Sequence, residues 1–329
     1  MTRITNALRN FLSLAVIIGV AFFFYKSFQL NREAMQAHPF NPDYFFLALS
    51  FGCVLTTYFL STCGWRLALN ALSADGRISF TQSVAVVNTG NLIKYIPGKV
   101  WSYALQMYWL SASGFSKPVV LYVNLVNLFV SLVTSTIVGL VCLAFSGGKF
   151  PVWISVSLLA AAVLSDILFI AFNAPFTRGL IGFAGRILNR DIACFSMSRK
   201  TVVGLHAIHF AAALSFGVSA FFLCPGIGVD FNQASALPVM SSLLLADVMG
   251  FMVVIVPGGL GVREALMYLM LGATVSTASL PLVLPVASRI VGMCVDVFLG
   301  TTAFVLLKYK IGPAMNRPAT RPACDKQDE

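Results

Sequence analysis

Apolar residues in this chain neither alternate with polar ones nor recur every three to four positions; they form long unbroken runs separated by short polar stretches. The runs fall at 11–30, 44–70, 118–145, 152–173, 201–223 and 281–307. Each is close to the about 20 residues that a helix needs to cross a hydrocarbon core. Two further segments, 80–110 and 236–272, are apolar but interrupted by Pro and Gly. In lipid, only helices and closed barrels satisfy their own backbone N–H and C=O groups. Runs of this length therefore predict an all-α, polytopic membrane helix bundle of six to eight spans with two Pro-Gly-broken segments. Residues 1–310 are expected to form a single transmembrane domain, and 311–329 a disordered cytoplasmic tail. The first run follows Arg3 and Arg9, as the core of a secretory signal would. It is long, and no A-x-A cleavage site follows it, so an uncleaved first span is expected.

The two interrupted segments share a pattern. Gly90 is followed seven residues later by Pro97-Gly98, and Gly250 seven residues later by Pro257-Gly258. Each break is preceded by a complete span and followed by a cation, Lys99 or Arg263. With each broken segment entering and leaving on one side, three spans separate the copies, and an odd number places them in opposite orientations. The expectation is an inverted repeat with halves at about 44–110 and 201–272. Unpaired N–H groups and the positive dipole end at a half-helix start make a site for an anion, and folds of this kind hold substrate near the mid-plane. Gly259 and Gly261 would let a headgroup approach the backbone. The plain alternative is that Pro and Gly kink two helices for packing. The stretch from Gly258 to Gly261 is not a phosphate-binding loop, since it lacks the Gly-Lys-Ser/Thr ending and follows no strand.

Composition agrees with the pattern. Hydrophobic residues make up 58% and charged ones 10%, against about 25% charged in soluble domains. The formal charge of +10 does not point to nucleic acid, because no basic run is interleaved with stacking aromatics. It is distributed as loop charge instead. The predicted outer loops 31–43, 146–150 and 224–235 are poor in Lys and Arg. Arg178, Arg186, Arg190, Arg199 and Lys200 lie in 174–200, and Lys308, Lys310, Arg317, Arg321 and Lys326 in the tail. This bias puts both termini on the cytoplasmic side. The seven cysteines, without any C-x-x-C, read as small core side chains with neither disulfide frame nor zinc site.

Ionisable groups within apolar runs are functional candidates. Asp166, Asp247, Arg289 and Asp296 are of this kind; each suits a structural ion pair or a role in ion coupling. Arg289 and Asp296 are seven apart on one helical face and could pair. Asn124, Asn127, Ser131 and Ser135 form a polar stripe expected to face the bundle interior. His206 and His209 are three apart, but no Cys or carboxylate lies near them in sequence, so interfacial histidines are expected and no metal. Trp101, Trp109 and Trp153 sit where interfacial anchors would.

At 88–103, NTGNLIKYIPGKVWSY, and again at 257–266, PGGLGVREAL, the chain resembles the flippase-like membrane family, whose best-known member is the membrane half of lysylphosphatidylglycerol synthase. The resemblance covers roughly residues 10–307, with Trp65-Arg66 a fainter third match. It implies a bacterial inner-membrane protein that moves a lipid or lipid-linked glycan intermediate between leaflets without a cofactor. The site residues it implies are Asn91, Lys94, Pro97, Gly98 and Lys99 in the first motif and Pro257, Gly258, Gly261, Arg263 and Glu264 in the second. Arg66 joins the candidate ion pairs. Where members of the family place another basic residue about two turns after Pro-Gly, this chain has Gln106 and Met107. With no soluble domain after residue 310, lysine transfer to lipid is not expected of this chain. Partners would be the bilayer lipid, with a second copy or a synthesis-complex subunit as further options. Two other functions fit the residues. One is an intramembrane lipid enzyme with Glu264 or Asp247 as general base, although no nucleophile or metal motif accompanies them. The other is a non-transporting subunit of a glycan or lipid synthesis complex.

Overall fold

The computed structural model describes residues 25, 29, 41–73, 77–93, 101–112, 114–147, 151–188, 196–229, 235–253, 259, 261–275 and 279–307. Nine helices occur among them: α1 Tyr44–Ala71, α2 Phe80–Ile93, α3 Trp101–Ala112, α4 Lys117–Ala144, α5 Val152–Leu188, α6 Arg199–Gly226, α7 Ala236–Met252, α8 Val262–Thr274 and α9 Leu280–Leu306. Five of these, α1, α4, α5 up to Phe172, α6 and α9, are long and apolar enough to cross a membrane. No strand occurs among the described residues, and the all-helical multi-pass bundle expected from the apolar runs is what they form. Of the first predicted span, only Tyr25 and Gln29 lie among the described residues.

Local chemistry sets several helix ends. The Asp43 carboxylate accepts from the N–H groups of Phe45 at 2.9 Å and Phe46 at 3.4 Å, capping α1. Ser198 caps α6 by accepting from Thr201 N–H at 3.2 Å. Pro118 and Pro281 open α4 and α9 in the first turn, where a missing N–H costs nothing. Helix α5 departs from expectation. Residues 174–188, read as loop for their charge, continue the helix beyond a kink at Phe172, where φ is −112° and ψ 17°. Pro175 supplies no N–H to the carbonyl four residues back, which accounts for the kink.

The helix lengths repeat. Helices α1 to α4 contain 28, 14, 12 and 28 residues, and α6 to α9 contain 28, 17, 13 and 27. At 1.5 Å per residue the short members are about 18–26 Å long, less than the about 30 Å of a hydrocarbon core. Packing follows the same division. Helix α4 lies on α7 as α9 lies on α2. Within each unit the second helix packs on the first and third, and the third on the fourth. Exchanging α1–α4 with α6–α9 maps this set of packed pairs onto itself, and α5 stands outside it, against α4 and more narrowly α6.

The matched helices α1 and α6 form the most extensive contact and run antiparallel. Ser50 Oγ donates to the Ser219 carbonyl at 2.8 Å, Ser215 Oγ to the Cys53 carbonyl at 2.9 Å, and Thr57 Oγ1 to the Ala212 carbonyl at 3.3 Å. Gly226 faces Leu47, while Gly64 and Gly204 at the other end face Leu205 and Leu67. Small residues and hydroxyls at this seam let the two backbones approach, as between helices in lipid.

The two largest buried apolar clusters sit at opposite ends of this pair. One joins Trp65 and Leu69 of α1 to Val86 of α2, Leu110 of α3, Val123 of α4 and Leu205 of α6. The other joins Leu223 of α6 to Leu243 of α7, Leu271 of α8 and Leu284 of α9, with Leu47 of α1 packed against it. The short pair α2–α3 is thus seated at the carboxyl end of α1, and α7–α8 at the carboxyl end of α6.

Candidate functional site

Helices α7, α8 and α9 bring four ionisable side chains together. Arg263 Nε, in the first turn of α8, lies 3.3 Å from Asp247 Oδ1 of α7, and Glu264 Oε1 lies 3.7 Å from Arg289 Nη1 of α9. The guanidinium of Arg263 is 5.9 Å from the centre of the Phe216 ring of α6, within the range of a cation–π contact. Side-chain exposure separates the four: 11% for Arg263, 9% for Glu264 and 14% for Arg289, against 49% for Asp247. Arg263 Nε and Glu264 Oε1 are buried and make no hydrogen bond of acceptable geometry, so their ion contacts are coulombic and leave donor and acceptor capacity unused. Buried polar atoms in that state are uncommon, and at a cavity or cleft they mark room for a bound group.

Glu264 also has a local task. Its Oε2 accepts from the Gly261 N–H at 2.6 Å, closing one half of a capping box at the start of α8. Gly261 has φ 86° and Gly259 φ 63°, both in the left-handed region that favours glycine. The space beside Gly259 is already taken, since a Cβ there would lie 2.6 Å from the Gly250 carbonyl oxygen. A Cβ on Gly250 would lie 2.9 Å from Arg263 Cβ. Gly250 and Gly259 therefore serve the crossing of α7 and α8. Gly90 has the equivalent place in the other pair, with its nearest neighbours Ser102 and Gln106 of α3.

The other predicted residues fall as follows. Asn91 lies near the end of α2; Lys94, Pro97, Gly98, Lys99, Pro257 and Gly258 lie outside the described residues. Arg66 donates from Nε to the Ile78 carbonyl at 3.0 Å and so fastens the segment after α1. Asp296, 2% exposed, accepts from Tyr58 Oη of α1 at 2.6 Å. Tyr58 and Phe216 were not legible as site residues, because their partners are remote in sequence and neither sits in a motif. Tyr58→Phe removes a charge-assisted bond from a buried carboxylate, and is expected to destabilise by roughly 1.5–3 kcal/mol, readable as a lower unfolding temperature in detergent.

A second polar group lies across α1, α4, α5 and α6. Asp166 of α5 contacts His206 Nε2 at 2.6 Å, Asn127 Oδ1 contacts His209 Nε2 at 3.1 Å, and Trp65 Nε1 donates to Asn124 Oδ1 at 3.2 Å. The predicted stripe on α4 thus faces the bundle interior through its two asparagines, 6% and 8% exposed. No group of three metal-binding side chains occurs among the described residues.

Helices of membrane length, short helix pairs and buried ion pairs within apolar surroundings together define a multi-pass helical membrane protein. The family model for the lysylphosphatidylglycerol synthase TM region matches residues 10–300. The chain belongs to that family, which sets it in a lipid-related role at the membrane, and the matched region takes in the first predicted span. Comparison with curated proteins finds no match.

Proposed function

We propose that this chain moves a lipid or lipid-linked headgroup between the leaflets of a bacterial inner membrane, with its termini on the cytoplasmic side. The observation that carries the reading is the placement of two short helix pairs at opposite ends of one antiparallel helix pair, within a set of contacts that is unchanged when the two four-helix units are exchanged. An inverted repeat accounts for that arrangement, and alternating access by rocking one repeat against the other is the motion such repeats support.

The anionic part of the headgroup is received at the first turn of α8, where Arg263 Nε keeps an unused donor and Arg289 adds a second guanidinium. Helix dipole and guanidinium act there with the same sign. Lys99, after the first break, is the matching cation of the other repeat. The hydrocarbon tails stay in the bilayer, so the protein handles only the polar end.

Purified full-length protein in liposomes is expected to speed leaflet exchange of a labelled phosphatidylglycerol or polyprenyl phosphate, and Lys99→Ala to slow it about tenfold, the worth of one charge-assisted contact. Absence of exchange across a panel of anionic lipids refutes the reading. Recovery of chemically altered lipid after incubation supports instead an intramembrane enzyme with Glu264 or Asp247 as base.

A further inference from the structure

The Asp166–His206 contact lies apart from the ion cluster at α8, and its geometry fixes a proton. His206 Nδ1 is 2.7 Å from the Val202 carbonyl oxygen, and Nε2 is 2.6 Å from Asp166 Oδ1. A carbonyl oxygen only accepts, so Nδ1 must carry hydrogen. The Nε2–Oδ1 contact then needs a proton of its own, because a bare ring nitrogen facing a bare carboxylate would oppose two lone pairs. The pair holds that proton either as imidazolium and carboxylate or as imidazole and carboxylic acid. Both forms are neutral overall; releasing the proton to water leaves neutral His206 beside an ionised Asp166, an uncompensated charge among apolar helices.

Among the described residues, no other charged side chain contacts the pair. On α6, His209 follows one turn later; its Nε2–H donates to Asn127 Oδ1, and its Nδ1 is buried with no hydrogen-bond partner. Helix α4 brings Asn124, Asn127 and Tyr122 to this part of the bundle, and Lys117 lies at its start. Helix α1 brings Trp65, together with Cys63 and Arg66, whose Nε is taken by the Ile78 carbonyl. Helix α7 carries Asp247, paired with Arg263, and α9 carries Arg289 and Asp296, in contact with Glu264 and Tyr58. From α5 the ring of Phe169 lies 6.3 Å from the imidazole, and Asp166 is the carboxylate that reaches it. Helix α5 is the element outside the repeated set, and its contact with α6 is narrow. A bond whose charge state depends on one proton therefore fastens α5 to the first helix of the second unit.

We propose that Asp166 and His206 form a proton-binding site, and that loading and unloading it couples headgroup movement to the proton gradient. The site follows from geometry alone; the coupling rests on the transport reading above.

Two measurements on the full chain in liposomes test these parts separately. Nitrogen-15 histidine spectra with infrared spectra at neutral pH are expected to show either an imidazolium at His206 or a protonated carboxyl band, each lost in Asp166→Asn. Absence of both overturns the proton site. In the exchange assay with labelled phosphatidylglycerol, whose phosphate stays ionised throughout, an imposed gradient of one pH unit is expected to shift the steady leaflet ratio about tenfold for one proton per headgroup. Asp166→Asn and His206→Gln should keep exchange in the absence of a gradient and lose the shift. A wild-type ratio indifferent to the gradient overturns the coupling while transport stands. Failure of any exchange overturns the transport reading and the coupling with it, and the spectra then decide the proton site alone.

Discussion

Arg263→Ala in the full chain is expected to lower leaflet exchange about tenfold or more, since a single charge-assisted contact to a headgroup is worth roughly 1.5–3 kcal/mol. The same change also strips Asp247 of its partner, and removing one member of a buried pair typically costs about 3–5 kcal/mol. Here that cost is reduced, because the Asp247 side chain is 49% exposed while Arg263 is 11% exposed. A purely structural pair and a headgroup contact therefore differ in what a second mutation does. The double variant Asp247→Ala/Arg263→Ala leaves no orphaned charge in that pair, so its folded yield and unfolding temperature should return toward wild type. If Arg263 receives the headgroup, exchange stays lost in the double variant. If it returns with the fold, Arg263 serves structure alone. Arg263→Lys sharpens the comparison: it keeps the charge near Phe216 but not the planar fork, and an intermediate rate is expected.

The long helices were legible because hydrocarbon thickness imposes a length on every span, and residues 44–70, 118–145, 201–223 and 281–307 carry that length on their face. The Pro-Gly breaks of the two interrupted segments lie outside the described residues, between helices that end at Ile93 and Met252 and helices that begin at Trp101 and Val262. What the sequence left open is which surfaces meet. Arg289 and Asp296 share a helical face and suggest each other as partners; what their spacing does not indicate is that tertiary packing brings Asp296 to Tyr58, 238 positions earlier, and Arg289 near Glu264. Asp166 and His206 are 40 positions apart; the two histidines read as interfacial residues, and their spacing indicates no carboxylate from another helix. The extension of α5 was hidden for a different reason. Its Arg residues read as loop charge under the positive-inside rule, although a helix leaving the membrane carries the same charges. The antiparallel seam of α1 and α6 had a faint signal in small and hydroxyl residues along both segments, which says that something approaches closely without saying what.

Gly250→Ala and Gly259→Ala are expected to be damaging substitutions at the crossing of α7 and α8, and they separate the repeat's architecture from its chemistry. At Gly259 alanine meets two obstacles: φ of 63°, which costs a β-carbon about 1–2 kcal/mol, and a carbonyl oxygen of α7 only 2.6 Å from the new Cβ. Backbone cannot give way there as the end of a flexible side chain could. At Gly250 the conformation is helical, so strain comes only from the 2.9 Å approach to Arg263 Cβ; overpacking of that kind costs about 1–3 kcal/mol. Gly250→Ala should thus push α8 away from α7, lengthen the Arg263–Asp247 contact and reduce exchange, with stability falling less than for Gly259→Ala. Alanine at Gly52 or Gly292, where the new Cβ meets nothing within 4 Å beyond its own stretch of helix backbone, is the control and should leave both readouts near wild type. Unfolding temperature and leaflet exchange measured on all four variants decide the matter. Near-normal stability in Gly259→Ala would show that α7 and α8 do not cross as described, and would remove the packing basis for placing Arg263 at the start of α8.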